Sequence, residues 1–267
     1  MSFLIKQVQV YIEQLVLLGA VFFVMLPLPV MADEVLDYAR LAQSAYSPGS
    51  APAGYTVITQ IKDIPSGFQG QALATSSANP KVVISYAGTL ITDYRDLLAD
   101  VGIGAGEIRQ YELEMIQKLS HTFSIDSKAI QSKWGNKTLV PNAKLIAQLK
   151  VANSLFDQVA KKYPLNNISV TGHSLGGYLA QAVASRTGVK GLTFNAPGAS
   201  REQKAPTNNI INYIRVDDVV GITGKHIGSV VKYPNIKFEL SKSFSFIINN
   251  HSTTPFISDL EAGMKPQ

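Results

Sequence analysis

Gly172-His173-Ser174-Leu175-Gly176 sets a serine between two glycines, and a further glycine, Gly177, follows. A serine hydroxyl is a poor nucleophile near neutral pH, so its surroundings have to activate it. The spacing fits a tight strand–turn–helix in which the serine takes a strained backbone conformation. The flanking glycines let neighbouring backbone pass without a Cβ collision. Such a turn lifts Oγ above a sheet and leaves it at a helix N-terminus, where developing negative charge is stabilised. Ser174 is therefore the candidate nucleophile, and the Leu175 N–H points at the same spot as a candidate oxyanion donor.

A serine nucleophile requires a base, and the chain holds 4 histidines. His173 sits inside the turn with its side chain directed away from the serine's side. His121 precedes the serine, whereas G-x-S-x-G sites on an α/β sheet take their groups in the order serine, acid, histidine. His226 and His251 remain. Between Ser174 and both of them lies IRVDDVV, a strand run ending at Asp217 and Asp218. A carboxylate at the C-terminal end of a strand stands where such sheets expose their reactive groups. A second oxyanion donor is expected from the loop that follows KVVISYA, at Gly88-Thr89. There is no cysteine, which excludes thiol nucleophiles, cysteine zinc sites and disulfides. No metal or other cofactor is called for.

These groups need a scaffold, and the hydrophobic periodicity supplies one. Asp33 to Tyr46 reads as a helix, with Val35, Leu36, Ala39 and Ala42 at three- and four-residue spacing. Gly54 to Ile61 and Gly70 to Ala74 read as strands joined by the turn-rich DIPSG. Lys81 to Ala87 is nearly continuous in apolar and β-branched residues, the pattern of a strand covered on both faces. Asn142 caps a helix that carries Leu145, Leu149, Ala152, Phe156 and Val159 on one face. Strand Ile168 to Thr171, helix Leu175 to Arg186, and strands Val189 to Phe194 and Ile210 to Val216 then follow in turn. Strands alternating with helices imply right-handed crossovers. The expected fold is an α/β-hydrolase-like three-layer sandwich around a mostly parallel central sheet.

The segments GTLITDYRDLLADV, VTGHSLGGYLAQ, FNAPG, VDDVVG, KHIG and NHSTTPF together resemble the class 3 lipase family of serine α/β-hydrolases, closest to its bacterial lipase-like branch. The likeness runs from about residue 33 to 260, with the motifs in the family's order. It implies a carboxylic ester hydrolase acting on lipids, as a triacylglycerol lipase or a phospholipase A. By this resemblance Asp218 rather than Asp217 is the acid, and His251 is the base, while His226-Ile227-Gly228 matches a downstream H-x-G that is not catalytic. It also implies that Thr89 gives its backbone N–H, and its hydroxyl, to the oxyanion hole beside Leu175. The family often has arginine before that glycine, where this chain has Ala87; the change removes a charge but not the donor. Asp93, Asp96 and Asp100 match the family's acidic stretch and are expected to fix loops. Lids occur in the family at a position matching Gly102 to Val140, where Ile108, Tyr111, Met115 and Leu119 form either one apolar lid face or buried core. An acyltransferase or small-ester esterase would use the same chemistry, and a non-catalytic lipid-binding module would keep only the fold.

With 267 residues the chain suits one sizeable α/β domain, and 46% hydrophobic against 16% charged residues places it outside the disordered class. Its formal charge of +5 is scattered, which favours anionic lipid headgroups over nucleic acid as a partner. The apolar run Leu15 to Leu26, with Lys6 upstream and Val30-Met31-Ala32 downstream, reads as a signal peptide or an uncleaved membrane anchor. Residues 1–32 are accordingly set apart from a single domain at 33–267. A secreted, periplasmic or envelope-associated protein in contact with a lipid interface is expected. The sequence leaves the oligomeric state open.

Overall fold

A computed structural model describes residues 28–88, 143–204, 208–216, 218, 220–234 and 250–267. Its contacts divide the chain into two units, Met1–Val35 and Leu36–Gln267. Of the first, the described part is the opening of helix α1 (Leu28–Ser44). This helix begins five residues before Asp33, the start that the acidic turn suggested. Pro29 falls in its first turn, where a missing N–H breaks no intrahelical bond.

The second unit is built on seven strands that pair in chain order: β1 (Tyr55–Asp63), β2 (Phe68–Thr75), β3 (Val82–Tyr86), β4 (Ile168–His173), β5 (Lys190–Phe194), β6 (Ile210–Arg215) and β7 (Ser229–Tyr233). β1 and β2 form an antiparallel hairpin, and β2 pairs antiparallel with β3. From β3 onward every pairing is parallel, which gives the mostly parallel α/β sheet expected from the alternating pattern. β3 and β4 are buried along their whole length, which is why their sequences are nearly continuous in apolar and β-branched residues.

Helices α2 (Ala143–Ala160) and α3 (Leu175–Thr187) cover one face. Ile84 and Tyr86 of β3 and Val170 of β4 join Leu149, Ala152 and Phe156 of α2 and Leu179 and Val183 of α3 in one core. The alternate side chains of the same strands point to the other face. There Ser85 Oγ donates to the Leu41 carbonyl of α1 (2.7 Å), and the Tyr38 hydroxyl donates to Ser169 Oγ (2.7 Å). Helix α4 (Thr253–Glu261) lies on this second face, with Phe256 against Phe194 and Tyr233. Arg215, fully buried at the end of β6, fixes α4 through Asp259 (2.6 Å) and stacks over the Phe256 ring.

The sheet therefore carries helices on both faces, and all its parallel strands end on the same side. Strand β7 is absent from the sequence reading. It is a short edge strand whose side chains mostly face solvent, so it lacks an apolar run. Among the described residues no helix is long and apolar enough to cross a membrane.

Candidate active site

Ser174 links the end of β4 to the start of α3 with φ 57° and ψ −131°, and it is one of two described non-glycine residues at positive φ. Neighbouring glycines make this turn possible. A Cβ at Gly176 would overlap the Tyr86 carbonyl oxygen, one at Gly172 would strike the Gly176 carbonyl, and one at Gly177 would strike Ala196. The strained residue is held by its neighbours, since its N–H donates to the Phe194 carbonyl (3.0 Å) and its carbonyl accepts from Gly177 and Tyr178 N–H. A serine at a helix N-cap usually turns its hydroxyl onto the first-turn amides. Here it makes no such bond, and among the described residues the buried Oγ has no hydrogen-bond partner. Leu175, as the first residue of α3, has an N–H without an intrahelical acceptor.

Asp218 follows β6, and its side chain is fully buried. Oδ1 accepts the N–H groups of Val220 (3.0 Å) and Gly221 (2.5 Å), and Oδ2 meets His251 Nδ1 at 2.8 Å. His251 stands one residue before Ser252, the N-cap of α4, and is buried as well. Nδ1–H donates to the carboxylate, and among the described residues Nε2 too has no partner. The structure thus joins the imidazole to the carboxylate and sets that imidazole against His173, the residue before the strained serine. Ser174 Oγ and His251 Nε2 do not bond to each other in this state, a contact that in many enzymes tightens only around substrate.

His173 lies behind this pair. Its ring centroid is 4.6 Å from that of His251, and its Nε2–H donates to the His251 main-chain carbonyl (2.6 Å). Its Nδ1 accepts from the Tyr46 hydroxyl (2.8 Å). Burial, and then the adjacent His251, push the His173 pKa well below the usual histidine value, so the ring is neutral. Asn195, the other residue at positive φ (46°), donates from Nδ2 to the carbonyls of Asn250 (3.1 Å) and His251 (3.0 Å). Its Oδ1 accepts the Arg215 N–H (2.9 Å). The histidine loop is therefore clipped to the ends of β4 and β5.

The loop after β3 passes directly over the serine: a Cβ on Gly88 would come within 3.0 Å of Ser174 Cβ and 2.8 Å of the His173 carbonyl. Thr89, the expected second oxyanion donor, lies outside the described residues, as do Asp93, Asp96, Asp100, Asp217, His121 and the segment Gly102 to Val140. His226 stands apart from the serine and holds the Ala196 carbonyl through Nε2 (2.9 Å). Beside it Gly228, at φ 83°, leaves no room for a side chain, since a Cβ there would strike the Ile210 carbonyl. Tyr46 and Asn195 escaped the sequence reading as parts of the site. The available signal for Asn195 was its place before Ala-Pro-Gly at a strand end, since asparagine tolerates positive φ. Tyr46 gave no signal beyond closing a helical pattern.

No protein-family model matches the chain. In sequence it is similar to the protein named "Putative lipase ATG15" of Mycosarcoma maydis, with 25% identity over 183 residues, 61% of this chain and 33% of that protein. It is 50% identical over 44 residues, 16% of this chain, to the proteins of the same name in Eremothecium gossypii and Candida glabrata, covering 8% and 9% of them. The chain thus spans about a third of the length of the first of these curated relatives and under a tenth of the other two. Among solved structures it overlaps a triacylglycerol lipase from Penicillium expansum with a TM-score of 0.49 at 16% identity, over 77% of this chain and 80% of that one. It overlaps the Rhizomucor miehei lipase–propeptide complex with a TM-score of 0.48 at 16% identity, over 75% of this chain and 68% of that one. The curated relatives lend no support to the bacterial branch suggested by the motifs.

Proposed function

We propose that this chain is a serine hydrolase that cleaves carboxylic acyl esters of lipids, with Ser174 as nucleophile, His251 as base and Asp218 as its orienting acid. One observation carries the reading: the buried Asp218–His251 pair packs on His173, the residue before a strained serine, and among the described residues neither Ser174 Oγ nor His251 Nε2 has a partner. Neither open atom is explained by packing, because buried polar groups ordinarily find partners.

Ser174 Oγ attacks the acyl carbonyl carbon as His251 Nε2 takes its proton. Asp218 Oδ2 keeps Nδ1–H in place and stabilises the imidazolium. The oxyanion is received by the Leu175 N–H and, in this reading, by the Thr89 N–H that follows Gly88. The imidazolium returns its proton to the leaving alkoxide, and the acyl-enzyme remains. A water deprotonated by the same Nε2 then releases the acid and frees Ser174.

The names of the curated relatives support lipids over other esters, and the scattered positive charge supports phospholipids over neutral glycerides. The apolar run Leu15 to Leu26 supports export or anchoring at a membrane, with residues 33–267 as the catalytic domain. N-terminal sequencing of the mature protein checks this, since a chain starting near Asp33 means a cleaved signal peptide.

The test of function compares wild type with Ser174→Ala on a chromogenic ester and on phospholipid vesicles. Wild type is expected to turn over both and the variant neither; equal activity would end the enzyme reading. His251→Ala is expected to be inactive while His226→Ala, if folded, is not. A rate on a chromogenic ester that rises above the micelle threshold marks a lipase, whereas a flat rate marks a small-ester esterase.

A further inference from the structure

The hydrogen bonds around His173 form a continuous chain that no catalytic role yet uses. The Gly88 amide donates to the Tyr46 hydroxyl, and this hydroxyl donates to His173 Nδ1 (2.8 Å). Across the ring, His173 Nε2–H donates to the main-chain carbonyl of His251 (2.6 Å). Every donor and acceptor in this chain has a fixed sense. A carbonyl can only accept, so Nε2 carries the proton, Nδ1 carries the lone pair, and the tyrosine hydroxyl must be its donor. Tyr46 is partly exposed as a residue, but its hydroxyl end is buried, and burial raises its pKa well above the usual tyrosine value. The phenol therefore stays protonated, as the arrangement requires.

We propose that Tyr46 is a positioning residue: its hydroxyl ties the Gly88 loop to the ring of His173, and that ring, through its Nε2–H, holds the backbone of His251, the proposed base. The inference rests on the reading of Ser174, Asp218 and His251 as the reacting groups. Two independent bonds grip the His251 carbonyl, one from His173 and one from Asn195 Nδ2 (3.0 Å). Asn195 ties the histidine loop to β5 and β6, and the His173 bond ties it to the serine's own turn. A shift of this carbonyl moves the imidazole, and misplacement of a base relative to its nucleophile is costly in rate. The same hydroxyl receives the amide of Gly88, the residue just before the expected donor Thr89. One side chain thus sets both the base and the oxyanion loop against Ser174.

The described titratable groups that interact with the His173 ring are Tyr46, from the turn after α1, and His251, from the start of α4. Loss of the Tyr46 hydroxyl leaves Nδ1 without a donor, so the ring gains a place for a proton beside the base. The role is thus tied to catalysis and differs from that of a packing aromatic.

The experiment uses the full chain and a fluorophosphonate that titrates reactive serine, so that rates are expressed per active site. Tyr46→Phe removes the hydroxyl and keeps the ring. We expect kcat on a chromogenic ester to fall about ten-fold, the kinetic equivalent of one hydrogen bond, with KM within about two-fold. His173→Phe is expected to fall at least as far, and the double variant Tyr46→Phe/His173→Phe should fall by less than the product of the two single losses, because in His173→Phe the hydroxyl has already lost its ring partner and keeps only the Gly88 amide. A wild-type kcat per titrated site in Tyr46→Phe overturns the proposal. So does a double variant in which the two losses multiply. Ser174→Ala is run alongside; if it kept wild-type activity, the site reading itself would fail, independently of Tyr46.

Discussion

A carboxylate with one oxygen on two main-chain N–H groups and the other on an imidazole has no freedom to turn. That is the position of Asp218, and it makes Asp218→Asn informative. The amide oxygen would stay on the Val220 and Gly221 N–H groups, which only an acceptor satisfies. The NH2 would then face His251 Nδ1, which must become an acceptor, so Nε2 would carry the proton and lose its ability to take one from Ser174. The expected outcome is an intact fold with kcat down by on the order of 10,000-fold. Circular dichroism and active-site-normalised ester hydrolysis check it; a loss under ten-fold would place the acid elsewhere, with Asp217 next in line. At this scale residue type and chain order narrowed the candidates to Ser174, Asp217 or Asp218, and His226 or His251, and the family resemblance chose Asp218 and His251 among them. Their supports were not. A tyrosine just past a helix and an asparagine in a loop look like ordinary residues until the fold brings one to the His173 ring and the other to the His251 carbonyl.

Elements were legible where burial is one-sided or complete. β3 and β4 show themselves as apolar runs, and α2 shows its buried stripe of Leu145, Leu149, Ala152, Phe156 and Val159. β7, exposed along an edge, and the early start of α1 leave no such mark. The serine turn lies between these cases, because its glycines are visible in sequence but their reasons are spatial. Gly176 lets α3 rest against the end of β3, where any Cβ would overlap the Tyr86 carbonyl, whereas Gly188 closes α3 at φ 77° with open space around it. Gly176→Ala must push a helix off the sheet and is expected to cost about 3 kcal/mol. Gly188→Ala meets only the backbone penalty of a left-handed conformation, about 1 kcal/mol. Urea unfolding of the two variants measures both, and Gly176→Ala should also lose kcat while Gly188→Ala keeps it. Equal stabilities would mean that α3 does not sit on β3 as closely as described.

Across the whole molecule, the buried histidines tie stability to pH. Burial holds the pKa of His173 well below 6.5, with the neighbouring His251 adding to the effect, and burial likewise lowers that of His226. Above about pH 6.5 these two rings are neutral in both folded and unfolded chains and contribute no pH dependence. Below it the unfolded chain takes up protons that the native state refuses, so stability falls as pH drops from about 6.5 towards the folded-state values. The slope reaches at most about 1.4 kcal/mol per pH unit for each proton. His173 is the larger contributor, because His226 is partly exposed and solvent softens its share. Urea unfolding at pH 7.5 and 5.5 should therefore show a weaker native state at the lower pH. In His173→Phe, which has no titrating ring at that position, the difference between the two pH values should shrink. A variant with the wild-type difference would mean that His173 takes up its proton within the fold. The neutral ring on which the Tyr46 chain of hydrogen bonds depends would then not exist.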